Sequence, residues 1–93
     1  SSDEKDRVQA IDELASIKHA GVSAKLIDRL TKGTEKEKMW AAWALGYRAA
    51  YGLMGDELKE KAEDAALALI RSDVPLHDRA VAAMALARMN SFE

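Results

Sequence analysis

Few side chains in this sequence could do chemistry. Two histidines, His19 and His77, could serve acid–base work or hold a metal, and His77 is followed directly by Asp78. A metal site needs three or four converging His, Cys or carboxylate ligands, and the sequence contains no Cys. His19 falls where the first helix is expected to close, a place where the helix dipole alone favours a cation. The serines stand at 1, 2, 16, 23, 72 and 91 and read as caps or terminal residues. None sits on a strand-to-helix elbow of the kind that exposes a nucleophilic hydroxyl. The acids are interleaved with bases at helical spacing, the pattern of a solvated helix face. Gly52 and Gly55 are followed by no Lys-Ser/Thr pair, so they form no phosphate-binding loop. The expectation is a protein without enzymatic activity, cofactor or metal.

The charge balance narrows the partners. Lys and Arg total 14 against 16 Asp and Glu, a formal charge of −2. This exerts no broad attraction on nucleic acid or an anionic membrane. The densest basic stretch, Lys32, Lys36 and Lys38, is diluted by Glu35 and Glu37, and Lys59, Lys61 and Arg71 are diluted likewise. The longest run without charged or strongly polar residues, Met39 to Tyr47, is too short to span a bilayer. No basic segment leads into an apolar run as in a signal peptide. A cytoplasmic protein is expected, with neither membrane nor nucleic acid as partner.

The aromatic residues carry more information. Trp40, Trp43, Tyr47 and Tyr51 recur at helical spacing and form one stripe. Either neighbouring helices bury that stripe or it meets a partner, since Trp and Tyr are favoured interface anchors.

These residues must be positioned by helices. Eighteen Ala and ten Leu against four Ile and four Val favour helix over strand, and no alternating run is long enough for a strand. Five helices are expected, in one domain covering 1–93. The first runs from about Asp3 to Lys18 and ends at Gly21. The second runs from about Ser23, its N-cap, to Lys32 and ends at Gly33. The third opens on a capping box, Thr34 with Glu37, and continues to about Ala50. The fourth begins at Asp56 as N-cap and runs to about Arg71. The fifth follows Pro75 and reaches about Met89.

The chain also repeats itself. Segments beginning at Asp6, Glu37 and Asp78 superpose without gaps: each opens with an acid and a base, and each closes on a small residue, Ala15, Gly46 or Ala87. The offsets are 31 and then 41, the difference being an insertion around Tyr51 to Lys59. Leu26, Ile27 and Leu30 align with Ala66, Leu67 and Ile70. Gly46 in mid-helix costs about 1 kcal/mol against Ala, so a close backbone approach is expected there. The Gly52-Leu53-Met54-Gly55 connection reads as a mobile loop outside the core.

Ala41-Ala42-Trp43-Ala44-Leu45-Gly46 resembles the Ala-rich Ala-Leu-Gly core of short HEAT-like repeats, the kind also seen in phycobilisome-lyase-type proteins. Where that family has Val before its Arg, this chain has Asp6, Glu37 and Asp78; the basic position is kept by Arg7, Lys38 and Arg79. A tetratricopeptide reading is the rival: Trp40, Trp43, Ala44 and Tyr47 partly fit its first helix, but its second-helix signature is missing. His77-Asp78 is similar to the His-Glu dipeptides of deoxyhypusine hydroxylase, whose site needs several such pairs. The resemblance implies an all-α, right-handed superhelix of helix pairs (about 3–32 and 34–71, with a half repeat at 73–90). It further implies a non-enzymatic protein-interaction or scaffolding module, with a lyase-like or chaperone-like accessory to a cofactor enzyme, or a weak nucleic-acid binder, as alternatives. The fifth helix has no following partner helix. Leu86, Met89 and Phe92 are therefore expected to form an apolar partner-binding patch, serving a protein partner or a homodimer, with Trp40, Trp43 and Tyr47 as a second surface.

Overall fold

The capping box at Thr34 sets the start of the central helix. In the computed structural model, which describes residues 3–90, the Thr34 hydroxyl accepts the Glu37 N–H and the Glu37 carboxylate accepts the Thr34 N–H, both at 3.2 Å. Five helices account for the regular structure: α1 (Glu4–Leu14), α2 (Ala20–Lys32), α3 (Glu35–Ala50), α4 (Asp56–Ile70) and α5 (Leu76–Asn90). No strand occurs among the described residues.

α3 lies at the centre and packs on all four others; α2 also packs on α4, and α4 on α5. One row thus reads α1–α3–α5, with α2 and α4 forming a second row beside it. The core is built of Ile11, Leu26, Leu30, Leu45, Leu69 and Met89, with Ala41, Ala42, Ala44, Ala62, Ala66 and Ala82 between them. Each large side chain buried here contributes about 1.5–3 kcal/mol relative to exposure. The alanines let the helices come close. Gly46 shows how close: a Cβ built on it would stand 2.9 Å from Ala85 Cα and 3.0 Å from Ala85 Cβ. The packing role expected for Gly46 is therefore present, and its partner is α5.

Several expectations need correction. α1 stops at Leu14, not Lys18, and Gly21 does not terminate it; Gly21 lies in the first turn of α2. His19 does not close α1. It caps the start of α2, its Nδ1 accepting the Gly21 N–H at 3.1 Å. Ser23 is inside α2 and fully buried rather than an N-cap. Gly55, not Asp56, is the N-cap of α4.

The α3–α4 connection is docked rather than loose. Gly52 takes φ +69°, the left-handed conformation that glycine adopts without strain. Its turn brings the Leu53 N–H to the Arg48 carbonyl at 2.8 Å, and Met54 packs against the core.

Candidate functional site

Three regions bring unusual side chains together. The first surrounds Arg48, on the α3 stripe that runs Glu37, Ala41, Ala44, Arg48. Its side chain is wholly buried. The guanidinium donates from Nε to Ser23 Oγ at 2.7 Å. Nη1 reaches the carbonyls of Leu14 (3.2 Å), Ala15 (3.1 Å) and Ile17 (2.6 Å), and Nη2 those of His19 and Leu53, both at 3.2 Å. These six oxygens are all neutral. Leu14 and Ala15 end α1, where carbonyls lack intrahelical partners and carry the negative end of the helix dipole. Arg48 donates to both, Leu14 also accepting the Ile17 N–H at 3.1 Å, and it ties the α1–α2 and α3–α4 turns to α3. Burial pushes its pKa down from the usual guanidinium value, yet an Arg remains a cation throughout the neutral range.

The second region is centred on Glu37, which is 2% exposed. Besides its capping role, it receives Arg7 Nε of α1 at 3.2 Å, while Arg29 Nη1 of α2 stands 3.7 Å away. Burial alone would raise its pKa, but the Thr34 N–H, Arg7 and the Thr34 hydroxyl outweigh it and hold the carboxyl below its ordinary value. One Glu37 oxygen, Oε2, is buried without a hydrogen-bond partner. Arg29 also binds Asp28 at 2.8 Å, and Lys32 binds Asp28 at 3.1 Å; these hydrogen bonds, Arg29 first, lower the Asp28 pKa. Arg7 and Arg29 flank an open cavity of about 350 Å³ between α1 and α2, floored by Ile11, Leu14 and Leu26 with Lys25 at its rim.

The reading of the charges as solvated faces therefore fails at three places: Arg48, Glu37 and Asp78, all of them buried. At the start of α5, Asp78 lies beside Glu35. Desolvation, then the Asp78 charge, raises the Glu35 pKa. The signal for Arg48 was in the sequence: it shares a helical face with alanines and interrupts an otherwise apolar stretch.

The third region is the outer surface of the α1–α3–α5 row. Trp40, Trp43 and Tyr47 are half-buried and Tyr51 is 68% exposed. Ring centroids are 5.9, 5.9 and 4.5 Å apart in succession, a continuous aromatic ladder. The Trp40 indole N–H is buried without an acceptor. The stripe is thus partly covered and partly open, between the two outcomes that the sequence allowed.

The expected C-terminal patch is only partly where the sequence placed it. Met89 is fully buried in the core and belongs to no open surface, because it shares the inward face of α5 with Asp78, Ala82 and Ala85. Leu86 is half-buried, and Phe92 lies outside the described residues. The exposed apolar face of α5 runs instead through Leu76 (74% exposed), Ala80, Ala83 and Ala87, with Met84 (50% exposed) at its side.

His77 is exposed, at the opposite end of the chain from His19. Among the described residues no three His, Cys, Asp or Glu side chains group as a metal site, and no helix is long and apolar enough to cross a membrane. No family model, curated protein or solved structure matches the chain.

Proposed function

We propose that the chain is a non-enzymatic protein-interaction or scaffolding module of the HEAT-like kind, its two rows of helices being successive layers of a short superhelix. The observation that carries this reading is the outer face of α5. Leu76, Ala80, Ala83 and Ala87 follow one another at helical spacing with no charge among them, and all are exposed. An uninterrupted apolar helix face on a charged protein marks an interaction surface. The repeat alignment supports the same reading. The positions equivalent to Ala83 and Ala87 are Ala42 and Gly46 in α3, both buried, with Gly46 against α5. The α5 face is one on which this kind of helix receives a neighbour. The aromatic ladder of α3 is the second surface.

A photo-crosslinking residue placed at Ala83 tests this. It should yield discrete protein adducts in cells, whereas the same residue at Glu60, exposed on α4, should yield none. Absence of adducts at position 83, or equal adducts at both positions, would overturn the reading.

A further inference from the structure

Each first helix of the repeat has two faces, one that meets the helix before it and one that meets the helix after it. The forward face holds Ile11 and Ala15 in α1, Ala42 and Gly46 in α3, and Ala83 and Ala87 in α5. It is buried in α1 and α3 and exposed in α5. The backward face holds Glu37, Ala41 and Ala44 in α3 and Asp78, Ala82 and Ala85 in α5, all buried. Its counterpart in α1 is Asp6, Ala10 and Glu13, all exposed. Both halves of the contact that joins α1 to α3 and α3 to α5 are therefore present once more, at opposite ends of one molecule.

We propose that the occupant of the α5 face is α1 of a second copy, bound head to tail. This deepens the interaction-module reading and rests on its repeat alignment. The charges agree with it. Within the chain, Arg7 of α1 binds Glu37 of α3 at 3.2 Å. α5 presents Arg79 at the position of Arg7, and α1 presents Asp6 at the position of Glu37, both on exposed residues. Among the exposed charged residues of α1, Asp6, Asp12 and Glu13 outnumber Lys5, while α5 exposes Arg79. Glu13 stands where Ala44 and Ala85 stand in the other helices, so the two copies meet less closely than Gly46 meets Ala85. The contact leans more on charge and weakens with salt. Because it joins two different faces, it does not close on itself, and copies add in a row.

Sedimentation velocity with two single variants tests this. Ala83→Glu blocks the α5 face and leaves α1 intact; Ala10→Arg blocks the α1 face and leaves α5 intact. Both positions are exposed, so circular dichroism should match the parent. The parent should show a series of species growing with concentration and shrinking with salt. Each variant alone should be monomeric, and their mixture should form a dimer and stop there. Arg79→Glu should shorten the series several-fold, and adding Asp6→Arg to the same chain should restore it. A parent that stays monomeric at every concentration overturns the proposal, and so does an Ala10→Arg variant that still pairs with itself. A monomeric parent whose position 83 still gives adducts with another protein would refute self-docking while leaving the interaction module standing.

Discussion

The two halves of the molecule are fastened by different physics. Where α1 and α2 meet α3, the joints are polar: Arg48 gathers six oxygens from α1, α2 and the two turns, and Glu37 draws in Arg7 and Arg29. Where α5 meets α3, the joint is steric, Gly46 against Ala85 with hardly room for a methyl group. The outer edges differ in the same sense. Lys25 and Arg29 stand on α2 at the positions that Ala65 and Leu69 hold on α4. In α4 these positions are buried, and in α2 they rim an open cavity. Charges border the apolar layer on the α2 side, whereas the outward α5 face of Leu76, Ala80, Ala83 and Ala87 carries none. A polar joint fixes its partner through hydrogen-bond geometry, whereas a small-residue joint needs only a matching face.

The largest expected effect breaks the polar half. Arg48→Met keeps an unbranched side chain but removes every donor, leaving the carbonyls of Ala15 and Leu53 without Arg48, while those of Leu14, Ile17 and His19 keep a backbone N–H. At about 1–3 kcal/mol for each buried polar group left unsatisfied, the loss should be at least about 2 kcal/mol by urea unfolding. Amide exchange should accelerate first around the α1–α2 turn and last in α5. A loss below about 1 kcal/mol would show that water replaces the guanidinium without cost. Next comes the steric half. Gly46→Leu forces α3 and α5 apart at about 1–3 kcal/mol, less a helix-propensity gain below about 1 kcal/mol. Its exchange pattern should be the reverse, with α5 loosened before α1. An unchanged stability would mean that α5 yields freely at this contact.

A third substitution sharpens the polar side through pH. Glu37 titrates below its ordinary value in the folded chain. Its contribution is therefore present above the unfolded pKa of about 4.3 and is lost as pH falls through the lower folded value. Glu37→Gln should cost about 1–3 kcal/mol at neutral pH, with the difference from the parent shrinking in acid. A difference independent of pH would assign the effect to the cap geometry instead of the charge. The smallest effect has the opposite sign. Glu35 titrates above its ordinary value, through desolvation and the Asp78 charge, so its ionised form opposes folding above the ordinary carboxylate range. Glu35→Gln should raise the melting temperature slightly at neutral pH, and the gain should vanish as pH falls below that range. A lower melting temperature at neutral pH would contradict this.

The readable parts of the fold were those written in local signals. The capping box and the helical periods depend on neighbours within a turn or two; Gly46 was marked by its place inside a helix, while its partner Ala85, far along the chain, was not. The polar joint depends on partners far apart in the chain: Arg48 meets Ser23, Ala15 and His19 across 25, 33 and 29 residues. Its place on a face of alanines marks Arg48 as inward-facing, but no local pattern names those partners. The early end of α1 has the same origin, because its final carbonyls are satisfied from α3 in place of a further helical turn. On α5, Met89 was read as exposed because its helix is apolar nearly all round. Only the placement of α3 and α4 separates the inward Ala82, Ala85 and Met89 from the outward Ala80, Ala83 and Ala87.

One measurement bears most directly on the open α5 edge. The chain has no Cys, so Ala83→Cys and Glu60→Cys each introduce a single thiol on an exposed helix position, and alkylation rates can be followed as protein concentration rises. The α5 edge, covered by a second copy, should protect the thiol at position 83 progressively while the thiol at position 60 reacts at a constant rate. Equal rates at the two positions across the whole concentration range would contradict the account.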